Sequence, residues 1–184
     1  IRDGHVTGVQ TCALPISVVD TQASDRGRVI SLAGLDGAAP GPAPVLGDEA
    51  KLRQVVGNLV GNSLRYTPEG TPIELAVGVR TAGDGTRQSV IEVRDHGPGV
   101  PDEEAARIFE RFYRADTSRT RETGGSGLGL AIVAAIVGSH SGTVRVTETD
   151  GGGATLVVSL PFLDEAMEDQ GSNAGAGVRN AAGE

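Results

Sequence analysis

Asn58 and Asn62 stand one helical turn apart, with Arg65 a further turn along. Residues at this spacing stack on one face of a helix. Asparagine in mid-helix competes for backbone groups and is a weak helix former there, so two in register point to a task. Their carbonyl oxygens could hold magnesium, a hard cation that takes few protein ligands beside phosphates and water. The plainer alternative is a pair of solvated or packing asparagines. A second chemical element is Asp95 in the run DHGPG. If it ends a strand whose Ile91 and Val93 face the interior, its carboxylate points the same way and needs a partner or a ligand. Gly97 and Gly99 then turn the chain aside and leave room. A third is TGGSGLGLAIV, from Thr123, a glycine cluster that runs straight into an apolar helix. Glycine lets backbone N–H groups approach an anion without a Cβ in the way, and a helix N-terminus presents free N–H groups. The phosphate loop ending in Gly-Lys-Ser/Thr is absent. Neither Gly125/Gly127 nor Gly127/Gly129 has the third glycine of the dinucleotide fingerprint. Between the second and third elements, Arg111 to Thr123 is a polar loop with four arginines, Arg111, Arg114, Arg119 and Arg121. It reads either as a solvated surface loop or as a lid that brings positive charge to an acidic protein.

These groups need elements to hold them. Asp48 is placed to cap a helix reaching about Tyr66, closed by Thr67-Pro68-Glu69-Gly70. Leu52, Val55, Val56, Leu59 and Val60 recur at helical spacing and form its core face. Strands are expected at Ser17–Asp20, Arg28–Leu32, Pro72–Arg80 and Ser89–Asp95, the last two by strict alternation. Gly34 to Pro44 reads as a loop from its glycine and proline. Asp102 should cap a short helix through about Glu110, with Ile108 and Phe109 inward. The helix from about Leu128 to Val137 is apolar on nearly every side and should be buried. Thr143–Thr147 and Ala154–Leu160 alternate around Asp150-Gly151-Gly152-Gly153, as a hairpin does. Residues 163–184 are an acidic tail without periodicity, expected to be disordered.

At 184 residues the chain has room for one domain with a real core. A formal net charge of -8 excludes nonspecific attraction to nucleic acid or anionic membrane. The longest apolar run is too short to span a bilayer. A single cysteine, Cys12, excludes a disulfide framework. Val6 to Ile16, VTGVQTCALPI, resembles an in-frame translation of a short-read sequencing adapter, so residues 1–16 are expected to be non-native, the alternative being an irregular N-terminal arm.

Taken together, five runs in order resemble the ATP-binding catalytic domain of two-component sensor histidine kinases, over about Ser17 to Phe162. They are LRQVVGNLVGNSLRYTP (from Leu52), DHGPG (from Asp95), FERFYR (from Phe109), GGSGLGL (from Gly124) and GGGATLVVSLP (from Gly151). The resemblance implies a Bergerat-type α/β two-layer sandwich, a mixed β-sheet with helices on one face and an ATP lid. It implies that Asp95 accepts the adenine amino group and that Gly97 and Gly99 let the base approach. Asn62 with Asn58 would hold magnesium on the triphosphate, and Arg65 and Tyr66 would line the pocket. Gly125, Ser126, Gly127, Leu128 and Gly129 would meet the phosphates. ATP and Mg2+ are thus the implied cofactors.

In that family the phosphorylated histidine lies on an upstream dimerisation helix, in a His-Glu or His-Asp context. Neither His96 nor His140 has that setting. The resemblance therefore implies a catalytic fragment whose partners are that dimerisation and phosphoacceptor domain, in a homodimer, and a response regulator receiver domain. It implies a cytoplasmic domain of a membrane-anchored bacterial protein. Alternatives are a module of the same fold without kinase activity, a pseudokinase, or an anti-sigma-type serine kinase. The gyrase-like and chaperone ATPases usually carry a glutamate base one turn before the magnesium asparagine, where this chain has Asn58.

Overall fold

A computed structural model describes residues 9–11, 29–37, 39–113 and 127–164. The strands are β1 (Val9–Thr11), β2 (Ile30–Ala33), β3 (Pro44–Leu46), β4 (Ile73–Thr81), β5 (Arg87–Asp95), β6 (Thr143–Glu148) and β7 (Ala154–Pro161). The helices are α1 (Glu49–Tyr66) and α2 (Gly129–Ser139), with a 3-10 turn at Arg107–Phe109. The main sheet runs β2-β4-β5-β7-β6. β2 lies parallel to β4 and every other neighbouring pair is antiparallel. The expected architecture, a mixed sheet with helices against it, is the one found.

α1 begins where the sequence places its cap. The Asp48 side chain accepts the Lys51 N–H at 3.1 Å, satisfying one of the free donors of the first turn. It ends as the Thr67 N–H bonds the Ser63 carbonyl and Pro68 follows. Leu52, Val55, Val56, Leu59 and Val60 are buried, together with Leu64. They pack with Ile73, Leu75, Ile91 and Val93 of the sheet and with Val133 and Val137 of α2 in one apolar cluster. Each such side chain contributes about 1.5–3 kcal/mol through lost water contact.

Four expectations are corrected. Asp102 to Glu110 is not an α-helix, and Asp102 does not cap one: turns lead into the 3-10 turn, whose Ala106 start has no side-chain cap. Most of its hydrogen bonds reach back three residues, Glu104 to Pro101, Ala105 to Asp102 and Arg107 to Glu104. A stretch this short, entered through a proline, gains little from full helical turns, although Ile108 and Phe109 do pack against the core. Pro44, read as loop, starts strand β3, a position where its missing N–H costs no ladder bond. The N-terminal arm is not irregular throughout, since Val9–Thr11 pairs antiparallel with Leu46–Pro44. α2 buries one side, Ala131, Val133, Ile136 and Val137, and leaves Ala135 exposed. β7 is buried from Ala154 to Leu160, because it is an inner strand between β5 and β6. Strand Ser17–Asp20 and the tail from residue 165 lie outside the described residues.

On the sheet face away from α1, Glu92 is buried between two arginines. Its carboxylate accepts from Arg80 at 2.8 Å and from Arg94 at 2.6 Å. Arg94 also donates to the Leu35 carbonyl, fastening the loop after β2 to the sheet. Burial pushes the Glu92 carboxyl up, but the hydrogen bonds and charges of Arg80 and Arg94 outweigh it and hold it below its ordinary value. A carboxyl whose pKa is lower in the folded state adds stability above its unfolded value, about 4.3. That stability is lost as pH falls through the folded value. Glu92→Gln should therefore lower stability at pH 7 by about 1–3 kcal/mol. Urea melts at pH 7 and pH 3 should show the gap between wild type and variant closing in acid.

Candidate functional site

Asp95 ends β5 and is 4% exposed. Its register partner on β4 is Ile73, and its carboxylate points toward α1 as strand alternation requires. Three donors meet it there. Oδ1 accepts the Gly97 N–H at 3.0 Å and the Ala154 N–H at 3.2 Å, while Oδ2 accepts the Ser63 hydroxyl at 3.2 Å. One carboxylate thus joins the turn after β5, the first residue of β7 and the last turn of α1. An ionised carboxylate offers about four acceptor directions, so one remains, on Oδ2.

The glycines around it are steric necessities. A Cβ on Gly97 would stand 3.1 Å from the Tyr66 carbonyl and 3.1 Å from Asp95 Oδ1. Gly99, at φ +75°, lies against the Gly153 carbonyl. Gly153 is tighter still: at φ +115°, its Cβ would stand 2.0 Å from the Asp95 carbonyl oxygen. The backbones of Tyr66–Thr67, Gly97–Gly99 and Gly153 therefore form one wall about Asp95.

One and a half turns earlier on α1, Asn58 approaches the start of α2. A Cβ on Gly129 would lie 3.8 Å from Asn58 Oδ1. The Asn58 Nδ2 is buried with no hydrogen-bond partner among the described residues. Asn58 and Asn62 are both half-buried on α1, while Arg65 and Tyr66 at its end are exposed. α2 has no side-chain cap bond at Leu128, and the first N–H groups of a helix have no partner within it. Gly127 (φ +68°) packs against the Tyr113 carbonyl, and its own carbonyl accepts the Phe112 N–H at 3.2 Å. Gly125, Ser126 and the arginine-rich stretch from Arg114 to Thr123 lie outside the described residues; Arg111 is exposed.

The structure thus brings Asp95, Gly97, Gly99 and Tyr66 together at one end of α1, and Asn58, Gly127, Leu128 and Gly129 together further back, with Asn62 between. Ser63, Gly153 and the Ala154 N–H were missed by sequence reasoning. Three consecutive glycines at Gly151–Gly153 were the available signal for the second; Ser63 carried none. The two histidines among the described residues have structural work. His140 Nδ1 donates to the Ile136 carbonyl at 2.8 Å, and Nε2 accepts the Asp48 N–H at 3.2 Å, so the ring ties the end of α2 to the start of α1. His96 meets Glu74 at 3.3 Å.

A wall of close backbone about one inward carboxylate, and the start of α2 beside Asn58, both lie against α1 in a mixed α/β sandwich. Residues 47–164 match the family described as "Histidine kinase-, DNA gyrase B-, and HSP90-like ATPase", and the chain belongs to it. Within that family its similarity is to histidine kinases. It is 43% identical over 131 residues to sensor-like histidine kinase SenX3 of Mycobacterium tuberculosis, covering 71% of this chain and 31% of the relative. It is 42% identical over 123 residues to the signal transduction histidine-protein kinase BaeS of Escherichia coli, covering 67% of this chain and 25% of the relative. The chain therefore spans about a third or less of these relatives' length. Among solved structures, the mycobacterial sensor histidine kinase MprB aligns at TM-score 0.65 and 26% identity, over 80% of this chain and 91% of that one. Full-length ShkA in complex with AMPPNP aligns at TM-score 0.63 and 30% identity, over 86% of this chain and 32% of that one.

Gly153→Ala is the sharpest test of the wall. Neither its φ nor the 2.0 Å approach leaves room for a methyl group, so stability should fall by more than about 2 kcal/mol. Gly151→Ala, where a Cβ meets nothing within 4 Å, should cost less in the same denaturant titration.

Proposed function

We propose that this chain binds Mg-ATP and presents its γ-phosphoryl group to a histidine on a dimerisation helix, for relay to a response regulator. The observation that carries the reading is the placement of Asp95 against the last turn of α1, through Ser63, and of the start of α2 against Asn58 on the same helix. The relatives' names as sensor histidine kinases and the AMPPNP held by ShkA support it.

In this reading the free acceptor direction of Asp95 takes the adenine amino group, and Gly97 and Gly99 let the ring lie flat against the wall. Arg65 and Tyr66 border the pocket. The backbone from Gly125 through Ser126, Gly127 and Leu128 to Gly129 receives the phosphates. The unpaired Asn58 Nδ2 fits such a site, since a buried amide without a partner costs about 1–3 kcal/mol and gains one from a phosphate oxygen. Asn62 and Asn58 would hold magnesium through their carbonyl oxygens, the hard ligands it prefers. When bound, the ion supplies neutralising charge to the triphosphate.

Phosphoryl transfer asks the protein chiefly for positioning and charge stabilisation, and this chain's residues supply the positioning. The phosphoacceptor belongs to the dimerisation domain, because both ring nitrogens of His140 are occupied and His96 is paired with Glu74. The full-length protein is then a homodimer, membrane-anchored, with this domain on the cytoplasmic side. No helix among the described residues is long and apolar enough to cross a membrane.

Two measurements test the reading. ATP should bind on the order of 10²-fold more tightly than GTP, because guanine presents a carbonyl oxygen to the Asp95 acceptor. Asp95→Ala should lose both affinity and preference; calorimetric titrations that show equal ATP and GTP binding to wild type would remove Asp95 as the base reader. Asn62→Ala should weaken nucleotide binding more with magnesium present than with it chelated. Equal losses in the two conditions would leave Asn62 a packing residue.

A further inference from the structure

Ser63 lies on the buried face of α1, at 0% exposure, among Leu59, Val60 and Leu64. A serine within a helix ordinarily turns its hydroxyl to the backbone one turn back or to water. Here the hydroxyl donates instead to Asp95 Oδ2, across 32 residues of sequence. The Ser63 carbonyl meanwhile closes the helix through the Thr67 N–H. Asp95 Oδ1 is already filled by the Gly97 and Ala154 N–H groups. The hydroxyl takes one of the two directions left on Oδ2 and leaves a single acceptor direction on the carboxylate.

We propose that Ser63 is a specificity-determining positioning residue, whose hydroxyl fixes which acceptor direction of Asp95 remains for the exocyclic amine of the base. The inference rests on Asp95 being the base reader and adds the element that aims it. Without the hydroxyl, Oδ2 has two open directions inside a pocket where Asp95 is 4% exposed. A desolvated acceptor without a donor is costly, so water or a rotated carboxylate would compete with the amine. The methyl of alanine fits the same space and is the better helix former, so Ser63→Ala should fold.

The test compares ATP, GTP and purine riboside triphosphate, which lacks the 6-amino group, by calorimetry on wild type, Ser63→Ala, Ser63→Cys and Asp95→Ala. Ser63→Ala should lose about fivefold in ATP affinity, the worth of one hydrogen bond. It should change purine riboside triphosphate by less than about twofold, so that its ATP/GTP ratio narrows. Ser63→Cys, a weaker donor of similar shape, should fall between. Equal losses for ATP and the desamino analogue would make Ser63 a packing residue and overturn the proposal, and so would no loss at all. If Asp95→Ala abolishes base preference while Ser63→Ala keeps it, only this inference fails. If wild type binds the desamino analogue as tightly as ATP, the base-reading role of Asp95 fails with it.

Discussion

One end of the site hangs on a buried carboxylate that must be paired. Asp95 sits where strand β5 runs into the helical layer, and a charge there is tolerated only with hydrogen bonds around it. Its three donors come from a turn, a neighbouring strand and a helix. The same contacts that satisfy it therefore fix α1 against the sheet and bring Gly153 onto the Asp95 backbone. Pocket and core are one structure here: the Leu59 and Val60 side chains that seat α1 also set the reach of Ser63.

The second end of the site has the opposite character. Around Asn58 and the start of α2, polar groups are buried or turned inward without being exhausted. The Asn58 amide lacks a partner among the described residues, and α2 begins without a side-chain cap. Asp95 thus keeps one acceptor direction, whereas the other end keeps a donor, the Asn58 amide, without a partner among the described residues. His140 ties the opposite ends of the two helices together, because its ring bonds the last turn of α2 to the Asp48 N–H just before α1.

Much of this was legible in the sequence for physical reasons. The two-residue period of β5 placed Asp95 inward, and the helical spacing from Leu52 to Val60 gave α1 its buried face. Asp48 and Thr67-Pro68 marked where α1 starts and stops. What escaped were features set by distant partners. Ser63 reads as an ordinary serine until Asp95 is folded beside it, and the Ala154 N–H is contributed from 59 residues away. Pro44 argued for a loop because local patterning cannot tell an edge strand's first residue from a turn. The stretch from Asp102 to Glu110 has a helical composition, but it is too short to sustain α geometry, and its packing of Ile108 and Phe109 decides its shape. The burial of β7 on both sides follows from its place between β5 and β6, which its own alternation does not encode.

The meeting of Phe112 and Tyr113 with Gly127 carries a consequence for how such a domain diversifies. The Phe112 N–H bonds the Gly127 carbonyl, and the Tyr113 carbonyl packs beside Gly127, so residues 114–126 depart from and return to one point. The entropy of closing a loop changes only with the logarithm of its length. Lengthening or rewriting that segment leaves its two anchors where they are and leaves α2 undisturbed. The domain can therefore exchange the segment between these anchors, in sequence and in size, while the wall about Asp95 is inherited unchanged.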